Sequence, residues 1–290
     1  MHPLAITLVL ISAAIHALRE LIIKRAHDKQ IFAWLICLVC IPLFFPLLVY
    51  EWLQGNVTWV AVQITIGAGV VHSLYWYWMT RAYDGGDLSH VYPIMRSAPA
   101  LIVILSILFL GEHVTLLAAI GVVTILLGIY MINMKKFSLQ GFLEPIESLR
   151  EKHTQFALIT ACAVTAYSLQ DKIVIGHMDP LLYAYALNVI ITLYWAPFIY
   201  RYKTRVQIRT EWERSPRDIL LNAVIGTSSY ALILVALTME RVSYVASLRQ
   251  ISIVFGVLLG GHLLQERHKW IRLGAAGMIF TGTVMIAVAK

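Results

Sequence analysis

Apolar residues gather along this chain into ten runs of membrane-spanning length, at roughly 4–23, 32–50, 59–80, 89–111, 114–133, 155–175, 181–200, 218–239, 243–264 and 270–289. A helix needs about 20 such residues to cross a hydrocarbon layer, and there it satisfies its own backbone polar groups. The pattern predicts an all-α integral membrane protein with ten transmembrane helices. Only the connections near 134–154 and 201–217 are long enough to hold anything more. In the first of them, the stretch from Pro145 to Lys152 predicts a short surface helix with proline at its start. The first run begins at Leu4 with no basic residue before it, so it reads as a span rather than a cleaved signal.

Composition narrows the function classes. With 59% hydrophobic and 13% charged residues, the chain carries more apolar surface than one soluble core buries, so any activity sits within the helix bundle. The three cysteines, Cys37, Cys40 and Cys162, all fall in spans and build no disulfide framework. Cys37 and Cys40 form C-x-x-C with no further Cys or His beside them, which reads as packing. No metal site and no cofactor are expected.

The distribution of charge sets an orientation. Of 23 Lys and Arg, four lie inside spans: Arg19, Arg96, Lys172 and Arg249. Of the other 19, 17 lie in or beside the connections that follow odd-numbered spans, leaving only Arg241 and Lys290 on the opposite side. The positive-inside rule puts those connections in the cytoplasm of a cell (inner) membrane protein, with both termini outside. A net charge of +7 raises the question of nucleic acid. The membrane-flanking placement assigns the charge to topology instead, so no nucleic-acid partner is expected.

Two halves of five spans follow from a division at the polar connector: residues 1–133, 134–154 and 155–290. Ser89-x-Val91 recurs 154 positions later as Ser243-x-Val245, and Glu112, Gly128 and Met131-Ile132 recur as Glu266, Gly282 and Met285-Ile286. At an offset of 151, His16, Arg19 and Glu20 fall on Tyr167, Gln170 and Asp171, a polar cluster on one helical face, and Asp28 falls on Asp179. Five being odd, the second half enters from the opposite face. The expected fold is a pair of inverted five-helix repeats with a site where the halves meet. Glycines such as Gly121, Gly128, Gly277 and Gly282, and the pair Gly256 and Gly260, permit close helix approach, within a monomer or a homodimer.

Ionisable groups inside a bilayer face a cavity or a partner. Arg96 and Arg249 sit deep in spans 4 and 9, the first accompanied by Tyr92 and the prolines Pro93 and Pro99, the second by Gln250 without prolines. His72 and Tyr75 share a face of span 3, and Tyr167, Gln170 and Asp171 lie in span 6. These nine (Arg96, Arg249, Tyr92, Tyr75, His72, Tyr167, Gln170, Asp171 and Gln250) are the candidate solute contacts. Glu20, Asp171 and His16 are candidates for charge compensation or proton coupling, and structural ion pairing is the competing account of each. Glu20 can pair with Lys24 four residues on, and Arg19 is placed near the interface. Four deep cations against two deep acids favour an anionic or zwitterionic solute. Glu112 and Glu266 close spans 4 and 9 in a structural or gating role.

The stretch Ser89-x-Val91-Tyr92-Pro93-Ile94-x-Arg96 and the closing Gly111-Glu112 resemble the EamA family of the drug/metabolite transporter superfamily, over the whole chain. The second copy departs from it with Ser247 in place of Pro93 and Gln265-Glu266 in place of Gly-Glu. The resemblance implies a secondary carrier working by alternating access, with a cavity lined mainly by spans 1, 3, 4, 6, 8 and 9. It implies cargo ranging from amino acids to phosphorylated metabolites, and the Tyr-Pro-Ile-x-Arg version is associated with phosphonate metabolism. Many members are drawn with both termini in the cytoplasm, the reverse of the charge count here. The expected function is transport of a small polar, anionic or zwitterionic metabolite, with solute and lipid bilayer as the only partners. A polytopic membrane enzyme or a lipid flippase acting on an anionic head group is the alternative. A channel ranks third, since no ring of carboxylates appears.

Overall fold

The computed structural model describes residues 1–55, 57–85, 91, 94–95, 98–132, 134, 150–255 and 269–289. Its helices are α1 (Pro3–Arg25), α2 (Lys29–Leu53), α3 (Trp59–Gly85), α4 (Ala98–Leu110), α5 (Leu116–Ile132), α6 (Lys152–Val174), α7 (Pro180–Tyr202), α8 (Arg205–Arg214), α9 (Pro216–Met239), α10 (Val242–Leu248) and α11 (Lys269–Val288). The fold is all-α and membrane-associated. Four stretches among the described residues, Pro3–Ile23, Lys29–Leu53, Pro180–Tyr202 and Pro216–Met239, are long and apolar enough to cross a membrane. Shorter apolar helices cover Leu101–Leu110, Leu116–Met131, Val242–Phe255 and Gly274–Val288. The expected third and sixth spans are the full-length helices α3 and α6. Both carry polar groups such as His72, Arg81, Asp171 and Lys172 along their length and are not among the four long apolar stretches.

Local sequence explains where the helices start. Asp28 caps α2, its carboxylate accepting the amides of Gln30 and Ile31, each at 3.1 Å. Asp179 caps α7 in the same way, accepting Leu181 at 2.8 Å and Leu182 at 3.2 Å. The two aspartates that coincide at the 151-residue offset thus do the same work. Helix α8 lies in the connector 201–217 and opens on a capping box, Thr204 with Gln207. The surface helix expected from Pro145 falls outside the described residues up to 149.

Helices of the two halves pair off. Among these pairs are α5 with α11, α3 with α6, α1 with α9, α2 with α7 and α4 with α10, beside further packing of α3 on α7, α2 on α9 and α4 on α6. Exchanging α1–α5 for α6, α7, α9, α10 and α11 in order maps the first five pairs onto themselves. Three pairs run antiparallel. Thr65 lies by Met178 and Trp78 by Phe156, Ser12 bonds Ser229 while His2 bonds Glu240, and Gly121 meets Gly282 while Gly128 meets Ala275. The last contact is backbone against backbone: a Cβ on Gly282 would stand 2.5 Å from the Gly121 carbonyl oxygen. Gly256 and Gly260 lie outside the described residues.

Two faces of the bundle are set by contacts between connections. On one, Lys203 bonds Asp28 at 2.5 Å and Lys29 approaches Asp84 at 3.6 Å, so the connections after spans 1, 3 and 7 lie together. On the other, the Met1 amine donates to the Ala287 carbonyl at 3.5 Å and Arg241 bonds the carbonyl of His113. Met1 and Ala287 therefore share a face.

Candidate functional site

Where α1, α2, α3, α6, α7, α9 and the end of α10 converge lies a partly open cavity of about 70 Å3. It has room for about five waters or a small solute. The wall carries two guanidinium groups, Arg19 and Arg249. Around them stand the rings of His72, Tyr75, Trp76, Tyr167 and Tyr230 and the polar ends of Asn188 and Thr227. No carboxylate is among its described lining residues.

Arg19 is held from two sides. Its guanidinium carbon lies 4.8 Å from the centre of the Trp76 ring, a cation–π contact between α1 and α3. On the other side it rests against Gly226 of α9, where a Cβ would come within 3.1 Å of Nε. That nitrogen has no hydrogen-bond partner among the described residues. Placed near the interface by its sequence position, Arg19 in fact points into the cavity. An arginine followed by Glu20, Lys24 and Arg25 reads as the start of a charged helix end, and nothing along the chain reveals the indole waiting on α3.

Behind the cavity wall, Asp171 of α6 gathers donors from three other helices. Tyr230 donates to Oδ2 at 2.5 Å, Tyr183 donates to Oδ1 at 2.8 Å, and His72 Nε2 lies 3.1 Å from Oδ1. His72 is stacked on Tyr167 with ring centres 4.5 Å apart. The first half holds a smaller counterpart: Tyr83 of α3 donates to Glu20 Oε2 at 2.7 Å, and His16 Nε2 lies 3.5 Å from Oε1. In each half, then, an acid on the first span accepts from a tyrosine on the third. Both carboxylates are thus held by hydrogen-bonding neighbours inside the bundle.

Arg249 stands at a break in span 9. Past Leu248 the backbone tightens: Gln250 N–H bonds the Ser247 carbonyl at 3.1 Å and Ser252 N–H bonds the Arg249 carbonyl at 3.1 Å, both i to i−3. The Gln250 side-chain amide satisfies the carbonyl of Ala246 at 3.0 Å. The break in span 9 thus forms without a proline, and it places Arg249 at the cavity. Arg249 Nε has no partner among the described residues. A second, water-sized cavity of about 20 Å3 continues beyond it, lined by Tyr167, Asp171, Arg249 and Gln250 among others.

The end of span 4 is tied to the start of span 9. Gly111 adopts φ +63°, the left-handed turn that glycine takes at no steric cost. It turns Glu112 onto α10, where the carboxylate accepts the amides of Val242 at 2.7 Å and Ser243 at 3.2 Å. Lys172 does the converse at the end of α9, donating to the carbonyls of Leu237 at 2.5 Å and Glu240 at 2.8 Å.

Of the expected solute contacts, His72, Tyr75, Tyr167 and Arg249 line the larger cavity. Asp171 and Gln250 line the smaller one. Gln170 lines neither, and neither do Glu20 and His16, the candidates for charge compensation or coupling. The Lys24 side chain expected beside Glu20 is outside the described set, as are Tyr92, Pro93, Arg96, Ser89 and Glu266. Sequence reasoning passed over Arg19, Trp76, Asn188, Thr227 and Tyr230. The Asn188–Thr227 hydrogen bond at 3.3 Å unites two isolated polar residues of apolar spans, a signal that each position alone was too weak to give.

These features define a multi-pass membrane transporter of the drug/metabolite type, not an enzyme. The chain belongs to the EamA-like transporter family, which it matches twice, over residues 3–134 and 154–288. No curated protein matches it. One solved crystal structure aligns with 99% of this chain and 97% of its own at a TM-score of 0.70 and 15% identity, a likeness of fold alone.

Proposed function

We propose that the chain is a ten-span secondary carrier of the cell (inner) membrane, built as two inverted repeats (residues 1–133 and 155–290, joined by 134–154). It moves a small polar, anionic or zwitterionic solute by alternating access. The carrying observation is the position of Arg249, which faces, from a broken helix, a cavity whose walls come from both halves. The antiparallel pairing of helices between halves and the double family match support the inverted repeat. Arg249 and Arg96 hold the acidic group, with His72, Tyr75 and Tyr167 around it. The basic connections, including α8, face the cytoplasm.

Uptake into liposomes holding the purified protein tests this. Arg249→Ala and Arg96→Ala each abolish uptake of the transported solute, while expression, folding and melting behaviour persist. Uptake at the wild-type rate in either variant removes that arginine from solute binding.

A further inference from the structure

Arg19 and Arg249 share the larger cavity, and no acid is among its described lining residues, although Asp171 lines the smaller cavity that Arg249 also borders. Two buried carboxylates stand nearby, Glu20 next to Arg19 in the chain and Asp171 with Arg249 around the smaller cavity, and both are already engaged: Asp171 by Tyr230, Tyr183 and His72, Glu20 by Tyr83 and His16. An unpaired guanidinium within a membrane protein is costly, and the cost falls when water or an anion fills the cavity beside it. A zwitterion would need a second, anionic or aromatic subsite for its ammonium group. Among the described lining residues of the larger cavity there is no carboxylate, the Tyr75, Tyr167 and Tyr230 rings are weaker cation faces than an indole, and the indole of Trp76 is occupied by Arg19 at 4.8 Å.

We propose that Arg19 and Arg249 form a two-guanidinium site for a small organic dianion, with Trp76 and Gly226 fixing where Arg19 stands. This rests on the carrier reading for its physiological meaning and names the charge class of the solute. Each guanidinium presents a planar fork of donors suited to an oxyanion, and the Nε atoms of both are without partners among the described residues. A volume of about 70 Å3 admits a head group and a few carbons. Doubly charged phosphonates or phosphate monoesters and short dicarboxylates share this chemistry.

The test compares ligand classes on the wild-type 290-residue protein in detergent by thermal shift and calorimetry. The probes are methylphosphonate at pH 8.5, inorganic phosphate, malonate, acetate and glycine. Methylphosphonate, phosphate or malonate binds at least tenfold tighter than acetate and glycine, and which of them leads separates a phosphorus oxyanion from a dicarboxylate. Arg19→Gln lowers that affinity roughly ten- to a hundredfold, the range of a lost charge-assisted hydrogen bond, and Arg19→Lys restores part of it. Glycine or acetate binding as tightly as the dianions, no stabilisation by any dianion, or full dianion affinity in a folded Arg19→Gln variant overturns the site. If Arg19→Gln does not fold, the wild-type ranking alone decides. Dianion binding without flux in liposomes would refute the carrier and leave this site standing. Flux of a monoanion or zwitterion would do the opposite.

Discussion

The Tyr230 hydroxyl donates to Asp171 Oδ2 at 2.5 Å and lies 3.3 Å from His72 Nε2, so one side chain of the cavity wall joins the buried acid to the imidazole. Tyr183 reaches the same carboxylate from the far side and is fully buried. The two tyrosines make similar bonds and differ in what else they face.

That difference separates stability from binding. Tyr183→Phe removes one hydrogen bond to a buried carboxylate, a loss of about 1.5–3 kcal/mol, and leaves the cavity lining intact. Its melting temperature falls while solute affinity is retained. Tyr230→Phe lowers the melting temperature comparably and also changes affinity, since its hydroxyl stands in the wall. Asp171→Ala is worse than either, because it strands three buried donors at once. Melting curves and binding isotherms on the three variants check the ordering. Unchanged binding in Tyr230→Phe would take the tyrosine out of the solute site.

A helix cap made across the halves predicts a second outcome. Glu112 satisfies two amides at the start of α10, the helix that leads to Arg249. Glu112→Ala should destabilise the protein by about 1–2 kcal/mol, and Glu112→Gln by less because one acceptor oxygen remains. Transport is expected to fall with the loss of the cap, since Arg249 loses its rigid lead-in. A thermal melt equal to wild type in Glu112→Ala would show that α10 stands without it.

Legibility of the fold and of the site differed for physical reasons. Patterns that repeat along the chain reported the scaffold well: Asp28 and Asp179 coincide in sequence and cap equivalent helices, and Gly111-Glu112 marks a turn whose glycine takes positive φ. Depth in a span reported Arg249. Depth failed for Arg19, six residues from the end of α1, because its direction is fixed by Trp76 and Gly226, neither near it in sequence. Proline content failed for span 9, where Gln250 supplies the side-chain bond that lets the helix tighten without one.

Two glycines of α11 provide a matched pair. A Cβ at Gly282 would lie 2.5 Å from the Gly121 carbonyl oxygen and 2.8 Å from Ile125, both on α5, whereas a Cβ at Gly277 meets nothing within 4 Å. Gly282→Ala forces α5 and α11 apart and should cost about 1–3 kcal/mol, the usual range for overpacking. Gly277→Ala should be neutral or slightly stabilising, since alanine is the better helix former. Detergent melts of the two variants give the comparison. Equal melting temperatures would mean that the close approach at Gly121 and Gly282 relaxes without penalty.

The orientation of the bundle follows from which face carries the cations. The connections that meet at Asp28, Lys203, Lys29 and Asp84 hold most of the basic residues outside the spans, and α8 alone contributes Arg205, Arg209 and Arg214. The face that joins Met1 to Ala287 holds Arg241 among few others. With anionic lipid and the membrane potential both retaining cations on the cytoplasmic side, α8 should be cytoplasmic and both termini outside. A fluorescent protein inserted after Arg214 should therefore fluoresce, and a phosphatase fused after Lys290 should be active. Strong fluorescence from a C-terminal fusion, with a silent α8 insertion that still supports transport, would reverse the orientation and show that the basic connections are held outside against the charge rule.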